Sequence, residues 1–177
     1  MRIRDFCLAV SISVAAAATG ARADGTATGM PPATGLRLPE PLKRLAGEWQ
    51  GKARMGDKEV PVTIVYEITA GGSAVLERLF PGTPHEMLSV YALDGDKVVM
   101  THYCALGNHP RMTLKKADGA SLAFELVGTD GIRSATDPHM HAMSVAFTDA
   151  DHIRETWTSF EGGARKDDKL FELTRKR

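Results

Sequence analysis

Residues 60–68 read Val60-Pro61-Val62-Thr63-Ile64-Val65-Tyr66-Glu67-Ile68 and alternate along a largely β-branched run. They are followed by Gly71-Gly72 and by a second alternating run, Ser73-Ala74-Val75-Leu76-Glu77-Arg78-Leu79-Phe80. Alternation with a period of two places every second side chain on one face of a strand. A two-residue glycine loop between two such runs predicts a tight antiparallel hairpin.

The same kind of turn recurs along the chain. Asp94-Gly95 and Asp118-Gly119 are two-residue turn signals, and residues 149–151 and 161–163 fit slightly longer hairpin loops. Ten short strands in hairpin succession predict an all-β, up-and-down antiparallel barrel, preceded by one helical turn at residues 42–45. The predicted strands span residues 47–54, 60–69, 73–80, 85–93, 97–105, 111–117, 121–128, 139–148, 152–160 and 168–175.

The first 23 residues have the layout of a secretory signal peptide. Arg2 and Arg4 precede an apolar run from Phe6 to Ala18, and small residues lead to a cleavage point near Ala23. The apolar run is too short for a membrane-spanning anchor. We therefore expect a periplasmic or secreted protein without a membrane anchor.

The remaining 154 residues predict a flexible lead-in over residues 24–41 and one barrel domain over residues 42–177. The leader takes three arginines and one aspartate from 22 basic and 22 acidic residues, so the mature chain has a net charge of −2. This charge argues against a nucleic-acid partner. Because Cys104 is the only cysteine after the leader, an internal disulfide is excluded.

Histidine and cysteine are concentrated in two patches. His85 and Met87 lie before the Asp94-Gly95 turn, and His102 and Cys104 lie after it. With Asp94 and Gly95 as the two loop residues, His85 faces Cys104 and Met87 faces His102. These side chains then share one strand face, which is the arrangement expected of soft metal ligands or of a polar site inside a barrel.

The second patch contains His139, His141 and Met143 at alternating positions, which predicts a second interior stripe. Pairing across the neighbouring loops places Met143 opposite Trp157 and Val145 opposite Glu155. Pairing across the glycine loop places Tyr66 opposite Glu77 and Ile68 opposite Val75. The predicted ligand-binding residues are His85, Met87, His102, Cys104, His139, His141, Met143, Glu77 and Glu155.

Four kinds of chemistry fit this cluster. The first is the polar lining of a cavity for a small, largely apolar ligand. The second is a zinc or copper site at His85, His102, Cys104 and His141, because imidazole and thiolate suit these metals. The third is an enzyme that uses Cys104 or a Glu/His pair. The fourth is a filled core in which these groups bond to each other. No cofactor and no catalytic residue is assigned.

Residues 45–51, Leu45-Ala46-Gly47-Glu48-Trp49-Gln50-Gly51, match a G-x-W motif. Trp49 is large enough to close one barrel end, and Gly47 and Gly51 permit close backbone approach beside it. The motif resembles the opening strand of calycin barrels, which include lipocalins, fatty-acid-binding proteins and nitrobindins. The resemblance implies that a late basic residue, Arg175 by position, stacks on this tryptophan.

The stretch from residue 69 through His85 and His102 to Asn108 also resembles a group of uncharacterised secreted bacterial proteins, over most of the mature chain. That resemblance brings no established activity. Nitrobindins bind haem through a histidine close to the C-terminus, and this chain has none after His152. Haem ligation would then fall to His141 or His102.

Overall fold

The computed structural model describes residues 37–177, so the predicted signal peptide and most of the lead-in lie outside the described residues. Within them the chain forms one short α-helix, one 3-10 turn (Ala70–Gly72) between the second and third strands, and ten strands, the number that the turn pattern predicts. No helix of this part of the chain is long and apolar enough to cross a membrane. The elements are α1 (Glu40–Lys43), β1 (Gly47–Met55), β2 (Lys58–Thr69), β3 (Ala74–Leu79), β4 (Met87–Asp94), β5 (Lys97–Tyr103), β6 (Arg111–Ala117), β7 (Ser121–Leu126), β8 (His139–Phe147), β9 (His152–Glu161) and β10 (Ala164–Arg175).

Each strand pairs antiparallel with the next, and β10 returns to β1 to close the barrel. Closure removes the open edges that an antiparallel sheet would otherwise expose. Two predicted registers are confirmed: Tyr66 pairs with Glu77 across β2 and β3, and Met143 pairs with Trp157 across β8 and β9. The loop between β2 and β3 is longer than the two glycines, because pairing stops at Thr69 and Ala74.

The predicted register of the β4–β5 hairpin is wrong. Asp94 pairs with Lys97, so the loop residues are Gly95 and Asp96, and Ser89 rather than Met87 lies opposite His102. His85 precedes β4 and is exposed. A shift of two residues leaves every side chain on its face, because the side-chain period of a strand is two. The inner face is therefore the predicted one, with different partners.

Trp49 closes the end of the barrel at which α1 lies. The side chain is completely buried and its Nε1 donates to the Leu45 carbonyl at 2.7 Å. The guanidinium carbon of Arg175 lies 4.1 Å from the centre of the Trp49 ring, and its nitrogens donate to the carbonyls of Ala46 and Arg44 at 2.6 and 2.8 Å. Arg175 therefore makes a cation–π contact with Trp49 and also supplies hydrogen bonds to backbone carbonyls of the segment before β1. Leu38, within the predicted lead-in, is only 2% exposed and belongs to the core.

Glycine is required beside this plug for two different reasons. Gly47 has a φ of +129°, and a Cβ there would lie 2.9 Å from an Arg175 nitrogen. A Cβ on Gly51 would lie 1.9 Å from the carbonyl oxygen of Glu172. The close backbone approach predicted beside Trp49 is therefore found at Gly51, whereas the near neighbour of Gly47 is a side chain.

Candidate ligand-binding site

A cavity of about 640 Å³ occupies the barrel end opposite α1. It lies where β1, β3, β5 and β9 finish and where β2 and β8 begin. Cavities of this size accommodate small organic ligands. Its walls are mainly apolar and aromatic, and they include Met55, Val60, Leu79, Phe80, Met87, Met140, Trp157, Phe160 and Phe171.

His102 is the most deeply buried of the predicted site residues that line this cavity. It is 1% exposed and its ring centre lies 4.3 Å from that of Trp157. Its Nδ1 bonds to the Ser89 hydroxyl at 3.0 Å. Its Nε2 is also buried and has no hydrogen-bond partner within residues 37–177. Burial lowers the pKa of His102 to about 4, so the ring is neutral at pH 7.

Next to this histidine, the barrel interior holds two buried carboxyls. The Tyr66 hydroxyl oxygen lies 3.0 Å from Glu77 Oε1 and 2.6 Å from Glu155 Oε2. Tyr91 donates to Glu77 Oε2 at 2.6 Å, and Trp157 donates to Glu155 Oε1 at 2.5 Å. Glu77 and Glu155 do not line the cavity. Trp157 and His102 do, and therefore connect the cavity to this network.

The network fixes where one proton lies. A phenol carries a single proton, so Tyr66 donates to one carboxyl and must accept from the other. Burial raises the pKa of both carboxyls, and the charge of Glu77 raises the pKa of Glu155 further. Hydrogen bonds from hydroxyl groups oppose this shift at Glu77, and those with Tyr66 and Trp157 oppose it at Glu155, where the charge of Glu77 is the larger effect. Glu155 is therefore the neutral acid that donates to Tyr66, and Glu77 is the carboxylate.

The two histidines of the second patch contact each other and are out of line with Met143. The pairing of β8 with β9 skips His141, a bulge that gives β8 one extra residue. His139 stays buried and lines the cavity, whereas His141 leaves the lining and stacks on Phe160 with ring centres 3.8 Å apart. The prediction that His141 points inward with Met143 is wrong for this reason. Met143 is buried, outside the cavity, opposite Trp157.

His139 has no free nitrogen. Its Nδ1 donates to the Asp137 carbonyl at 2.7 Å, so in the neutral ring Nε2 is the acceptor. The Nδ1 of His141 lies 3.2 Å from that Nε2 and donates to it. Burial lowers the pKa of His141, and the neighbouring His139 lowers it further. His102 thus differs from this pair in presenting an unused nitrogen.

His85, Met87 and Cys104 all contribute to the cavity wall. The predicted pairing of His85 with Cys104 is not formed, because β4 begins at Met87 and β5 ends at Tyr103. Burial raises the pKa of the Cys104 thiol, which disfavours the nucleophilic thiolate. In the described part of the chain no three His, Cys, Asp or Glu side chains form a group that could hold a metal ion. The predicted set His85, His102, Cys104 and His141 is therefore not assembled.

Several cavity residues were not predicted from sequence. Phe80 and Phe171 pack with ring centres 6.2 Å apart, and Met140 joins the lining because the bulge at His141 reverses the face of the residues before it. Trp157 was predicted only as the partner of Met143. Trp157 lies on the alternating positions of β9 that face inward, and this pattern could have identified it as an interior residue.

A solved structure similar to this chain is that of a protein of unknown function from the DUF3598 family of Nostoc punctiforme PCC 73102. The TM-score is 0.52 at 14% sequence identity, and the match covers 76% of this chain and 49% of that chain. This chain therefore spans about half the length of that protein, and the likeness concerns the fold alone. No protein-family model matches the sequence, and no curated protein matches it.

Proposed function

We propose that this protein is an exported binding protein that holds a small, largely apolar organic molecule in the cavity opposite α1. The observation that carries the proposal is the unpartnered Nε2 of His102 in the wall of an apolar cavity. Buried polar atoms are nearly always hydrogen-bonded, and leaving one unpaired costs about 1–3 kcal/mol. A bound molecule that pairs with Nε2 removes this cost.

The apolar wall supports the same proposal. Aromatic and methionine side chains surround the space, and removing apolar surface from water contributes about 25 cal/mol per Å². Met87 and Met140 have flexible side chains that adapt to irregular shapes. The apolar wall therefore supplies affinity, and Nε2 of His102 orients the molecule.

Export and calycin membership are further parts of this proposal. The leader layout of residues 1–23 supports export to the periplasm or the medium. The ten-stranded closed barrel and the stacking of Arg175 on Trp49 support a calycin-like protein. A binding protein with an open barrel end is consistent with both export and a calycin-like barrel.

Nile red, a neutral apolar dye, tests the cavity directly. We expect saturable binding to the protein, and we expect Met87→Trp, which fills the cavity, to weaken it at least about tenfold. The matched control is Leu88→Trp, the next residue of β4, which does not line the cavity. Absence of dye binding, or equal binding by the two variants, would contradict the proposal.

Native mass spectrometry of protein purified from its own source identifies the molecule. We expect a non-covalent adduct that is lost in Met87→Trp and retained in Leu88→Trp. A Soret absorbance band in the purified protein would show haem instead, held through His102, and would overturn the organic ligand.

A further inference from the structure

We infer that the ligand carries a neutral hydroxyl on an apolar body and that this hydroxyl donates a hydrogen bond to Nε2 of His102. The inference rests on the proposed function and adds the chemical class of the ligand. It depends on which nitrogen of His102 carries the proton, and the surrounding hydrogen bonds determine that.

The proton positions follow from a row of three side chains across β3, β4 and β5. Glu77 pairs directly with Ser89, and Ser89 pairs directly with His102. Glu77 and Ser89 are both completely buried and face each other directly, which places the Ser89 hydroxyl beside the Glu77 carboxyl. A carboxylate can only accept a hydrogen bond, and the Ser89 hydroxyl lowers the pKa of Glu77, as a donor does. The single proton of Ser89 is therefore used toward Glu77.

Ser89 then has only lone pairs to offer its other neighbour. His102 Nδ1, 3.0 Å away, must carry the proton and donate to the Ser89 oxygen. Because a neutral imidazole has one N–H, Nε2 is left with its lone pair. The atom that the cavity presents is therefore a hydrogen-bond acceptor, and its partner must be a donor.

The charges around the cavity disfavour a carboxylate group as the hydrogen-bond partner of Nε2. A lone pair repels a carboxylate oxygen, and His102 carries no charge at neutral pH. The two lysines of the lining are paired already: Lys169 contacts Asp167, and Lys166 contacts Glu161. With no free cation among the described residues of the wall, an uncharged head group fits best.

A metal ion at His102 would lack ligands, because no three His, Cys, Asp or Glu side chains of residues 37–177 come together in a group that could hold one. His139 uses both ring nitrogens within the protein, and the Cys104 thiol is held protonated by burial. Since stable metal sites in proteins combine three or more such ligands, a hydroxyl is the donor that a single acceptor satisfies.

Two isomeric probes separate this inference from the proposed function. Undecan-1-ol and decyl methyl ether have the same formula, and only the alcohol donates a hydrogen bond. We expect the alcohol to displace Nile red at about five- to tenfold lower concentration than the ether. We expect undecanoate at pH 7.5 to bind more weakly than the alcohol. In His102→Phe, which keeps a ring beside Trp157 and has no acceptor, the difference between alcohol and ether should vanish.

Equal displacement by alcohol and ether, or a difference that survives in His102→Phe, would overturn the inference and leave the apolar cavity standing. Failure of both probes to displace the dye would instead contradict the proposed function. A measurement on the unaltered protein is independent of how the variant folds. The ¹⁵N chemical shifts of His102 should show a protonated Nδ1 and an unprotonated Nε2, and the opposite tautomer would refute the assignment.

Discussion

Replacing Glu155 by glutamine removes a proton that the folded protein holds between its two buried carboxyls. The amide nitrogen of Gln donates to Tyr66 as the acid does, and the amide oxygen still accepts from Trp157. The hydrogen-bond pattern is therefore kept. Only the ionisable proton is lost, so the variant isolates the effect of that proton on stability.

The sign of the effect follows from the pKa shifts. The pKa of Glu155 is raised in the folded protein, so the fold keeps a proton that the unfolded chain releases above pH of about 4.3. Stability then falls as pH rises, by up to about 1.4 kcal/mol per pH unit, until the folded pKa is reached. His102 acts in the opposite direction. Its pKa falls from 6.5 to about 4 on folding, so its contribution rises with pH between these values.

The two slopes oppose each other below pH 6.5, and Glu155 acts without His102 above it. The diagnostic window therefore begins at pH 6.5 and extends up to the raised pKa of Glu155. Here the free energy of unfolding of the unaltered protein should fall with pH by up to about 1.4 kcal/mol per unit. In Glu155→Gln the fall should be absent, so the variant gains stability relative to the unaltered protein as the pH rises through this window.

Urea unfolding followed by tryptophan fluorescence at several pH values measures this difference. Tyr66→Phe serves as a control, because it removes the hydroxyl between the carboxyls and leaves both acids in place. A slope that persists in Glu155→Gln, or no slope in the unaltered protein, would show that the pair does not hold this proton.

Three further outcomes are expected. Gly51→Ala places a Cβ 1.9 Å from the Glu172 carbonyl oxygen and should prevent folding or destabilise the protein by several kcal/mol. Gly56→Ala is the control: its Cβ meets nothing within 4 Å, and it should cost about 1–2 kcal/mol for its positive φ. Similar melting temperatures of the two variants would refute the close approach. Arg175→Lys should lower stability by about 1–3 kcal/mol because one ammonium cannot replace both carbonyl bonds and the stacking, and an unchanged melting temperature would contradict this. In a chain starting at Asp24, Cys104 should react with iodoacetamide at pH 7.5 more slowly when folded than in urea, and equal rates would contradict its raised pKa.

The strand order and most strand bounds were predictable because each turn carries a local signal and each strand a period of two. The register between β2 and β3 followed from the same alternation, since a slip of one residue would expose Tyr66 and Glu77. At β4 and β5 the sequence permits two turns, Asp94-Gly95 and Gly95-Asp96, and the strand pairings that follow from them differ by two residues. Alternation does not distinguish them, so the faces were predictable and the partners were not.

The site was only partly predictable for a second physical reason. A bulge at His141 adds one residue to β8 and reverses the face of the residues before it. No glycine marks this position. His102 was found because it lies on a regular inward stripe. Its distinctive property, an unpartnered Nε2, depends on what its neighbours do with their protons and has no sequence signal.

A crystal structure of the protein grown with undecan-1-ol tests the central claim most directly. We expect the alkyl chain along the apolar cavity wall and the hydroxyl oxygen at about 2.6–3.2 Å from Nε2 of His102. An empty or water-filled cavity, or an alcohol whose hydroxyl points away from His102, would contradict it.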